Sequence, residues 1–274
     1  MDIKLIAFDL DYTILDSGKN LSPENRYALE KAAEKGIWIV PCTGRFYEAI
    51  PDVIRELPFV RYAITINGAV VCDAAEKKTI SETAMPLERG LELLEWCSAL
   101  GVAYDCYIES RGYMCASHID HIEDYLESEV YCGIVRSMRI PVPDLISYTA
   151  ERGLPVQKVQ MFTKDLSILR DSREYINSKY PDLIATSSLT NNLEINAAGA
   201  NKGTALRTLA EHLGISARQI MAIGDGGNDL QMIETAGIGV AMANALPEIK
   251  KAADLTTLSC DGSGVAYAIN RVIF

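Results

Sequence analysis

The 274-residue sequence predicts an α/β fold with a parallel sheet, interrupted by an inserted α+β domain. Buried-strand patterns alternate with amphipathic helices as far as Ile66, which is typical of parallel βαβ units with right-handed crossovers. The same alternation returns after Gly199. Between these two stretches, hairpin patterns mix with helices and carry many of the tyrosines, so this part is predicted to form a domain of its own.

The N-terminal elements follow from local signals. A short apolar run ends in Asp9 and Asp11, which predicts a buried strand with two acids at its carboxyl end. Ser22 and Pro23 form a good helix start, and Lys35-Gly36 is a usual helix end. The elements predicted next are a strand at Ile37–Cys42, a helix from near Phe46 and a strand at Tyr62–Ile66.

The inserted stretch is predicted from alternating apolar runs separated by polar turns. The predicted hairpins are Ala69–Asp73 with Thr79–Thr83 and Val102–Glu109 with Gly112–Ala116. The predicted helices are Leu87–Leu100, Ile119–Glu129 and Leu166–Lys179, and further strands are predicted at Val156–Phe162, Leu183–Ser187 and Asn192–Asn196.

The C-terminal stretch repeats the α/β pattern. Its predicted helices are Lys202–Leu213, one beginning in the glycine-rich segment 224–229, and Gly264–Ile273. Its predicted strands are a buried one at Ile220–Ile223 and two edge strands at Gly239–Met242 and Leu255–Thr257.

Composition excludes several classes of protein. Hydrophobic residues make up 49% and charged residues 23% of the chain, as in a soluble globular protein. A formal net charge of −11 opposes binding to nucleic acid, which normally requires a basic face. No apolar run reaches the roughly 18 residues that a membrane span needs, and no signal-peptide pattern precedes the first strand. We therefore predict a cytoplasmic protein with neither nucleic acid nor membrane as a partner.

The cysteines and histidines carry weaker signals. The 7 cysteines are scattered without a C-x-x-C pair, which predicts neither disulfides nor a zinc site. Cys42 is the one candidate for a reactive thiol, although a small core residue is the commoner role. His118 and His121 supply too few ligands for a metal site. Tyr107 and Tyr113 lie on a predicted hairpin, where sheet packing is the commoner role.

Four acids follow the ends of two predicted strands and could meet at one edge of the sheet. In open α/β sheets, ligands bind at the carboxyl ends of the strands. Asp9, Asp11, Asp225 and Asp229 would converge there, and neighbouring carboxylates about 4 Å apart would repel by about 4 kcal/mol. A cation is therefore expected, and a cluster of oxygen ligands without histidine favours Mg²⁺.

Other residues have the chemistry of a phosphate site. Thr43 offers a hydroxyl group and Gly44 a backbone N–H at a predicted helix start, where an anion is favoured. Lys202 lies in the first turn of a predicted helix, which costs about 0.3–1 kcal/mol unless an anion is bound there. Taken alone, Lys202 could also be a solvated surface lysine. Arg45 could contact phosphate or pair with an acid of the core.

Taken together, four motifs resemble those of the haloacid dehalogenase superfamily in order and spacing. They are Phe8-Asp9-Leu10-Asp11-Tyr12-Thr13, Thr43-Gly44-Arg45, Asn201-Lys202-Gly203 and Gly224-Asp225-Gly226-Gly227-Asn228-Asp229. The insertion between the second and third motifs resembles the large (class IIB) cap of Cof-type phosphatases. Tyr12 departs from the pattern, since the family more often has glycine there. We expect Tyr12 to have ordinary backbone angles and to crowd the entrance to the site.

The resemblance implies a mechanism. Asp9 would be the nucleophile that forms an aspartyl-phosphate, and Asp11 would transfer protons to the leaving group and from water. Mg²⁺ would be held by Asp9, the carbonyl group of Asp11 and Asp225, with Asp229 as a further ligand or a supporting residue. The phosphate would be bound by residues of the remaining motifs, namely Thr43, Gly44, Arg45, Lys202 and Asn228.

The resulting prediction is an Mg²⁺-dependent phosphatase of small phosphorylated metabolites, most plausibly sugar phosphates. Its Rossmann-like catalytic core would comprise residues 1–83 and 191–274, and its inserted cap residues 84–190. Hinges are expected near Glu82-Thr83 and Thr190-Asn191, and the protein is predicted to be a monomer or a weak homo-oligomer. Two alternatives stay open: a phosphomutase of the same superfamily, and a catalytically weak protein that only binds a phosphorylated ligand.

Overall fold

A computed structural model describes residues 2–188 and 190–274. Its strands are β1 (Leu5–Phe8), β2 (Trp38–Pro41), β3 (Tyr62–Thr65), β4 (Val70–Asp73), β5 (Lys78–Glu82), β6 (Ala103–Ile108), β7 (Arg111–Cys115), β8 (Arg139–Val142), β9 (Lys158–Phe162), β10 (Leu183–Thr186), β11 (Asn192–Ala197), β12 (Ile220–Gly224), β13 (Ile238–Ala241) and β14 (Leu255–Thr256). Its α-helices are α1 (Pro23–Glu34), α2 (Asp52–Arg55), α3 (Leu87–Ala99), α4 (Ala116–Asp120), α5 (Glu129–Met138), α6 (Leu145–Arg152), α7 (Leu166–Lys179), α8 (Lys202–His212), α9 (Leu230–Thr235), α10 (Pro247–Ala252) and α11 (Gly264–Ile273).

The chain divides into two compact units. The core unit comprises the described residues up to Glu82 together with Asn201–Phe274, and the inserted unit comprises Thr83–Ala200. The first boundary between the units lies between Glu82 and Thr83. The second lies ten residues beyond the predicted crossing near Thr190-Asn191, because β11 pairs with β9 and β10 and so belongs to the sheet of the inserted unit.

The core unit is built on the predicted parallel sheet, with strand order β14-β13-β12-β1-β2. β1 lies between β12 and β2 and is buried along its whole length, as expected for a strand covered on both faces. The helix start at Ser22 is confirmed, since the Ser22 side chain accepts a hydrogen bond from the Asn25 amide. β14 is an edge strand as predicted, but β13 lies between β12 and β14 and is not.

The third predicted strand leaves the parallel sheet. β3 pairs with β4, and β4 with β5, in an antiparallel three-stranded sheet that includes the predicted first hairpin. Cys42, the residue after β2, forms an isolated parallel bridge with Ile64 of β3. The helix expected from near Phe46 is replaced by a 3₁₀ turn at Tyr47–Ala49 and the short helix α2. Pro51 explains this break, because a residue before proline is disfavoured in a helix.

The inserted unit is the α+β domain that the sequence predicts. Its six-stranded sheet has the order β10-β11-β9-β6-β7-β8 and is antiparallel except for the β7–β8 pair. Helices α3, α6 and α7 supply the leucines and isoleucine that pack on one face of this sheet. Within the described residues, no helix combines the length and apolar character needed to cross a bilayer.

One predicted helix of the inserted unit is wrong. Ile119–Glu129 is not continuous, because α4 ends before His121 and only a 3₁₀ turn, Ile122–Asp124, follows. No element is predicted between there and β9, where α5, β8 and α6 lie. The signals for α6 were present, since Asp144 caps its start and Gly153 ends it with a left-handed backbone.

Candidate active site

The acids that the sequence places at strand ends do converge. β1 and β12 are neighbours, and the Asp9 amide continues their pairing by donating to the Ile223 carbonyl at 3.0 Å. Oxygen atoms of Asp9, Asp225 and Asp229 lie within 4.8 Å of one another. They form the only group of three or more potential metal ligands among residues 2–188 and 190–274. We call these three residues the acidic cluster.

Lys202 lies inside this cluster and is fully buried. As the first residue of α8, it directs Nζ to Asp9 Oδ1 and Asp229 Oδ1, both at 2.5 Å. Burial alone would lower the pKa of Lys202, but the two carboxylates hold it well above its usual value. The reading of Lys202 as a solvated surface lysine is therefore wrong. A lysine is tolerated at the start of α8 because the carboxylates of Asp9 and Asp229 balance its charge.

The cluster has more negative charge than Lys202 balances. Burial, followed by the carboxylates of Asp229 and Asp225, outweighs Lys202 and raises the pKa of Asp9 well above 3.8. Burial and Asp229 raise the pKa of Asp225 to about 7, although Thr13 Oγ1 donates to it at 2.7 Å. A hard divalent cation bound by carboxylate oxygens would relieve this excess, so the donor set fits Mg²⁺.

Asp229 organises the loop after β12. Its Oδ2 accepts hydrogen bonds from the amides of Asp225 and Gly226, both at 2.9 Å, while its Oδ1 binds Lys202. A Cβ on Gly224 would lie 2.5 Å from the carboxyl carbon of Asp229, so only glycine fits there. Both oxygens of Asp229 are thus engaged within the protein, which suits a supporting residue better than a direct ligand.

The carboxylate of Asp11 has other partners. Arg45 binds it with two nitrogens, Nε to Oδ2 at 3.0 Å and Nη2 to Oδ1 at 2.8 Å, and Lys19 Nζ lies 3.0 Å from Oδ1. Burial acts to raise the pKa of Asp11, but Arg45 and Lys19 together hold it below 3.8. Of the two readings of Arg45, the structure shows the pairing with a core acid. Lys19 is a site neighbour that the sequence analysis missed.

A chain of polar contacts joins the other motif residues. The Thr43 amide donates to the Ile64 carbonyl at 2.9 Å, and the Thr43 carbonyl accepts from the Asn67 amide at 3.0 Å. Asn228 Nδ2 donates to Asn67 Oδ1 at 3.1 Å. Asn67 is not among the predicted site residues, although its place just after the end of β3 was a usable signal. Gly44 does not precede a helix, since only the 3₁₀ turn follows, so the helix-start argument for an anion at Gly44 is wrong.

The expectation of ordinary backbone angles at Tyr12 is also wrong. Tyr12 has φ 63°, in the left-handed region where glycine is favoured. Two contacts hold this conformation, because the Tyr12 carbonyl accepts from Asn244 Nδ2 at 2.9 Å and Lys19 Nζ lies 3.7 Å from the ring centre. Tyrosine thus keeps the backbone shape of the glycine that the motif usually has.

The cysteine, histidine and tyrosine that carried weak functional signals in the sequence are placed in packing roles. Cys42 is fully buried, and burial raises its pKa far above the usual range, which disfavours a reactive thiolate. The His118 ring packs against Tyr104 and Tyr125, and burial lowers its pKa. Tyr113 stacks on Tyr148 on the helix-covered side of its sheet, with ring centres 4.8 Å apart.

A parallel sheet with carboxylates and a buried lysine at the carboxyl ends of its central strands defines an α/β protein with a ligand site at that edge. Comparisons with known proteins identify the family. The family model described as haloacid dehalogenase-like hydrolase matches residues 6–269. The chain therefore belongs to the haloacid dehalogenase-like hydrolases, as its four motifs predict.

Individual relatives match over nearly their full length. The "Putative phosphatase YxeH" of Bacillus subtilis is 34% identical, with 98% of each chain covered. The "5-amino-6-(5-phospho-D-ribitylamino)uracil phosphatase YwtE" of the same organism is 31% identical, with 99% of this chain and 98% of the relative covered. A solved haloacid dehalogenase-like hydrolase from B. subtilis superposes with a TM-score of 0.87 at 29% identity, covering 99% of this chain and 100% of that one. The relatives thus support phosphatase as the class of activity.

Proposed function

We propose that this protein is an Mg²⁺-dependent phosphatase that hydrolyses small phosphomonoesters through an aspartyl-phosphate. The observation that carries the proposal is the buried Lys202, which holds Asp9 beside Asp225 and Asp229. A buried carboxylate fixed by a lysine at a sheet edge is suited to nucleophilic attack on phosphorus. Lys202 is also placed to offset the charge that develops on the phosphate oxygens.

The reaction proceeds in two displacements. Asp9 Oδ1 is bound by Lys202, and the other carboxylate oxygen attacks phosphorus while the bond from phosphorus to the leaving oxygen breaks. Asp11 gives its proton to that oxygen and releases the alcohol. Asp11 then takes a proton from water, which attacks phosphorus, frees inorganic phosphate and restores the Asp9 carboxylate.

Asp9, Asp225 and the carbonyl group of Asp11 would hold Mg²⁺, with Asp229 supporting the loop that carries Asp225. When bound, Mg²⁺ supplies Lewis-acid stabilisation of charge on the phosphate group. Thr13 orients Asp225 through its hydrogen bond. The excess negative charge of the acidic cluster supports this assignment.

The ion pairs of Asp11 must change before this residue can donate a proton. A carboxyl group that donates a proton must first hold one, and Arg45 and Lys19 both favour the ionised form of Asp11. We propose that Arg45 moves from Asp11 to the substrate phosphate, where it acts with Thr43, Gly44 and Asn228. Release of Arg45 would let Asp11 take up the proton that it donates.

The proposed substrates are small phosphorylated metabolites of the sugar phosphate class. One relative is named for a phosphorylated ribitylamino compound, which carries a sugar-alcohol chain. The inserted unit would act as a cap that encloses the substrate and excludes water, with hinges at the two crossings. A cytoplasmic location and a monomeric or weakly associating state remain predictions from the sequence.

Asp9→Asn is the decisive variant. We expect hydrolysis of an aryl phosphate with Mg²⁺ to fall by at least about 10³-fold, because an amide is a far poorer nucleophile. Asp2→Asn, an exposed acid near the same strand, is the matched control and should keep wild-type turnover. Trapping of ³²P on wild-type protein, but not on Asp9→Asn, would identify the aspartyl-phosphate. Mg²⁺-dependent hydrolysis that survives Asp9→Asn would refute the nucleophile assignment.

A further inference from the structure

Lys19 reaches into the candidate active site from an exposed turn of the core unit. The turn is closed because the Lys19 amide donates to the Asp16 carbonyl at 2.9 Å and the Asn20 amide donates to Asp16 Oδ1 at 2.8 Å. Ser17, Gly18 and Asn20 are exposed, yet the side chain of Lys19 is only 14% exposed. A lysine in an exposed turn normally extends its ammonium group into water. Contacts inside the site must therefore favour the inward direction of this side chain.

Two contacts fix the position of the Lys19 ammonium group. Nζ lies 3.0 Å from Asp11 Oδ1 and 3.7 Å from the centre of the Tyr12 ring, so a carboxylate and the face of a ring both attract the cation. Lys19 has φ 64° and Tyr12 has φ 63°, and both residues thus adopt the left-handed conformation that favours glycine. Because such strain persists only where the surrounding structure enforces it, it points to a functional constraint on this contact.

Lys19 and Arg45 bind the Asp11 carboxylate in different ways. Arg45 spans both oxygens, with Nε 3.0 Å from Oδ2 and Nη2 2.8 Å from Oδ1, whereas the Lys19 contact is with Oδ1. In the proposed reaction, Arg45 leaves Asp11 for the substrate phosphate. This movement releases Oδ2 from Arg45. Lys19 would stay on Oδ1, because its closed turn and the Tyr12 ring hold it there.

The Asp11 carboxylate needs such a partner once Arg45 has moved. Its side chain is 24% exposed, so packing alone does not enclose it and hydrogen bonds must set its orientation. A general acid works only when it is held within hydrogen-bond reach of the atom that it protonates. Without a second partner on Oδ1, the carboxyl group would rotate toward water at the moment when its orientation matters.

We propose that Lys19 is a positioning residue that keeps Asp11 Oδ1 in place after Arg45 has moved, so that Oδ2 is the oxygen that serves the leaving group. In the first displacement, the proton on Oδ2 passes to the leaving oxygen as the bond from phosphorus to that oxygen breaks. In the second displacement, Oδ2 takes a proton from the attacking water. Tyr12 acts one step further out, by holding Lys19. This proposal rests on the proposed function for its reaction, but the position of Asp11 can be measured without turnover.

Lys19→Met tests the proposal with two aryl phosphates of similar size. Phenolate is a poorer leaving group than 4-nitrophenolate, so phenyl phosphate depends more strongly on the proton from Asp11. We expect kcat/KM to fall by about tenfold more for phenyl phosphate than for 4-nitrophenyl phosphate, whereas general damage to the fold would lower both equally. Lys31→Met is the matched control and should leave the ratio of the two values unchanged, because Lys31 also pairs with a carboxylate, that of Glu34, and lies over a ring, that of Tyr27, but on the surface of α1.

Two variants of Tyr12 test whether its ring holds Lys19. Tyr12→Gly suits the left-handed backbone and keeps the carbonyl group that Asn244 binds, but it removes the ring. We expect Tyr12→Gly to lower kcat/KM for phenyl phosphate about two- to fivefold more than for 4-nitrophenyl phosphate, which is the effect of losing a partly exposed cation–π contact. Tyr12→Phe keeps the ring and should show a smaller change. Equal changes in the two variants would contradict the role given to the ring.

Crystal structures of variants separate this proposal from the proposed function. In Arg45→Met, Lys19 Nζ should stay within hydrogen-bond distance of Asp11 Oδ1, and the carboxylate should keep its orientation. In Arg45→Met/Lys19→Met, the carboxylate should adopt other rotamers. This pair of results supports the proposal even if the wild type hydrolyses no phosphate ester, in which case only the proposed function fails. The proposal is overturned if Lys19 leaves Asp11 in Arg45→Met, if Asp11 keeps its orientation in the double variant, or if Lys19→Met affects both aryl phosphates equally.

Discussion

Each unit of this protein buries a lysine among carboxylates, but the two arrangements differ in their charge balance. In the core unit, Lys202 is shared by Asp9 and Asp229, with Asp225 close by. In the inserted unit, Lys158 pairs with Glu194, and Arg139 pairs with Asp105. The first centre has three acids for one lysine, whereas the second has equal numbers of each sign.

The difference shows what charge balance can indicate about function. A buried group with excess negative charge requires a further cation, which fits a metal-assisted reaction. A buried group whose charges balance, like that of the inserted unit, requires no further cation. Both centres are polar and buried, yet they call for different chemistry.

The largest effect on activity is expected when the core lysine is removed. Lys202→Met should lower kcat/KM for 4-nitrophenyl phosphate by about 10²–10³-fold at saturating Mg²⁺, because Asp9 loses its fixed partner and the phosphate loses a positive charge. Steady-state kinetics would measure this loss. Lys4→Met, an exposed lysine in the same unit, is the matched control. A loss of less than tenfold would contradict the central place given to Lys202.

The inserted lysine should matter chiefly for stability. Lys158→Met removes the ammonium group that pairs with the buried carboxylate of Glu194, and we expect the free energy of unfolding to fall by about 3–5 kcal/mol. The double variant Lys158→Met/Glu194→Met should recover most of this loss, because both charges are then gone. Denaturant unfolding monitored by a probe in the inserted unit would measure both values. If the double variant is as unstable as the single one, the ion pair is itself stabilising.

The effect of Mg²⁺ on the stability of the folded protein should be smaller than the effect of removing either lysine, and it should depend on only one of the two centres. At about 100 times its Kd, Mg²⁺ bound to the core unit should stabilise the folded protein by about 2.7 kcal/mol. Asp225→Asn should abolish most of this stabilisation, whereas Glu194→Gln, in the balanced centre, should retain it. Thermal unfolding with and without a chelator provides the measurement. An Mg²⁺ effect that is equal in the two variants would argue against the acidic cluster as the metal site.

The smallest effect is expected for the ion pair between Arg61 and Asp73, which lies nearer the surface than either buried centre. A hydrogen bond from Arg61 holds the pKa of Asp73 below 3.8 in the folded protein. Asp73 therefore contributes stability above pH 3.8 and loses this contribution as the pH falls through the lowered pKa. Asp73→Asn should flatten this part of the stability curve and change turnover at pH 7 by less than about twofold. Unfolding measured at a series of acidic pH values tests this prediction. If the wild type and Asp73→Asn lose stability with the same slope as the pH falls, the ion pair does not contribute.

Much of the core unit could be predicted from the sequence because its signals are local or recur at known spacing. The helix start at Ser22, the buried strand before Asp9 and the glycine-rich turn before Asp229 are each encoded within a few residues. Parallel pairing then requires the ends of β1 and β12 to meet, so the convergence of Asp9 and Asp225 also followed from the sequence. The four motifs, taken in order, predicted the family.

Only the tertiary structure decided which partner each charged group takes. The binding of Asp11 by Arg45 and Lys19, the left-handed backbone of Tyr12, and the place of β11 in the inserted sheet all depend on contacts between distant parts of the chain. The buried ion pairs of the inserted sheet could not be predicted for the same reason. Alternation along β6 and β9 shows which side chains share a face, but only the register of the strands decides that Asp105 lies opposite Gln160.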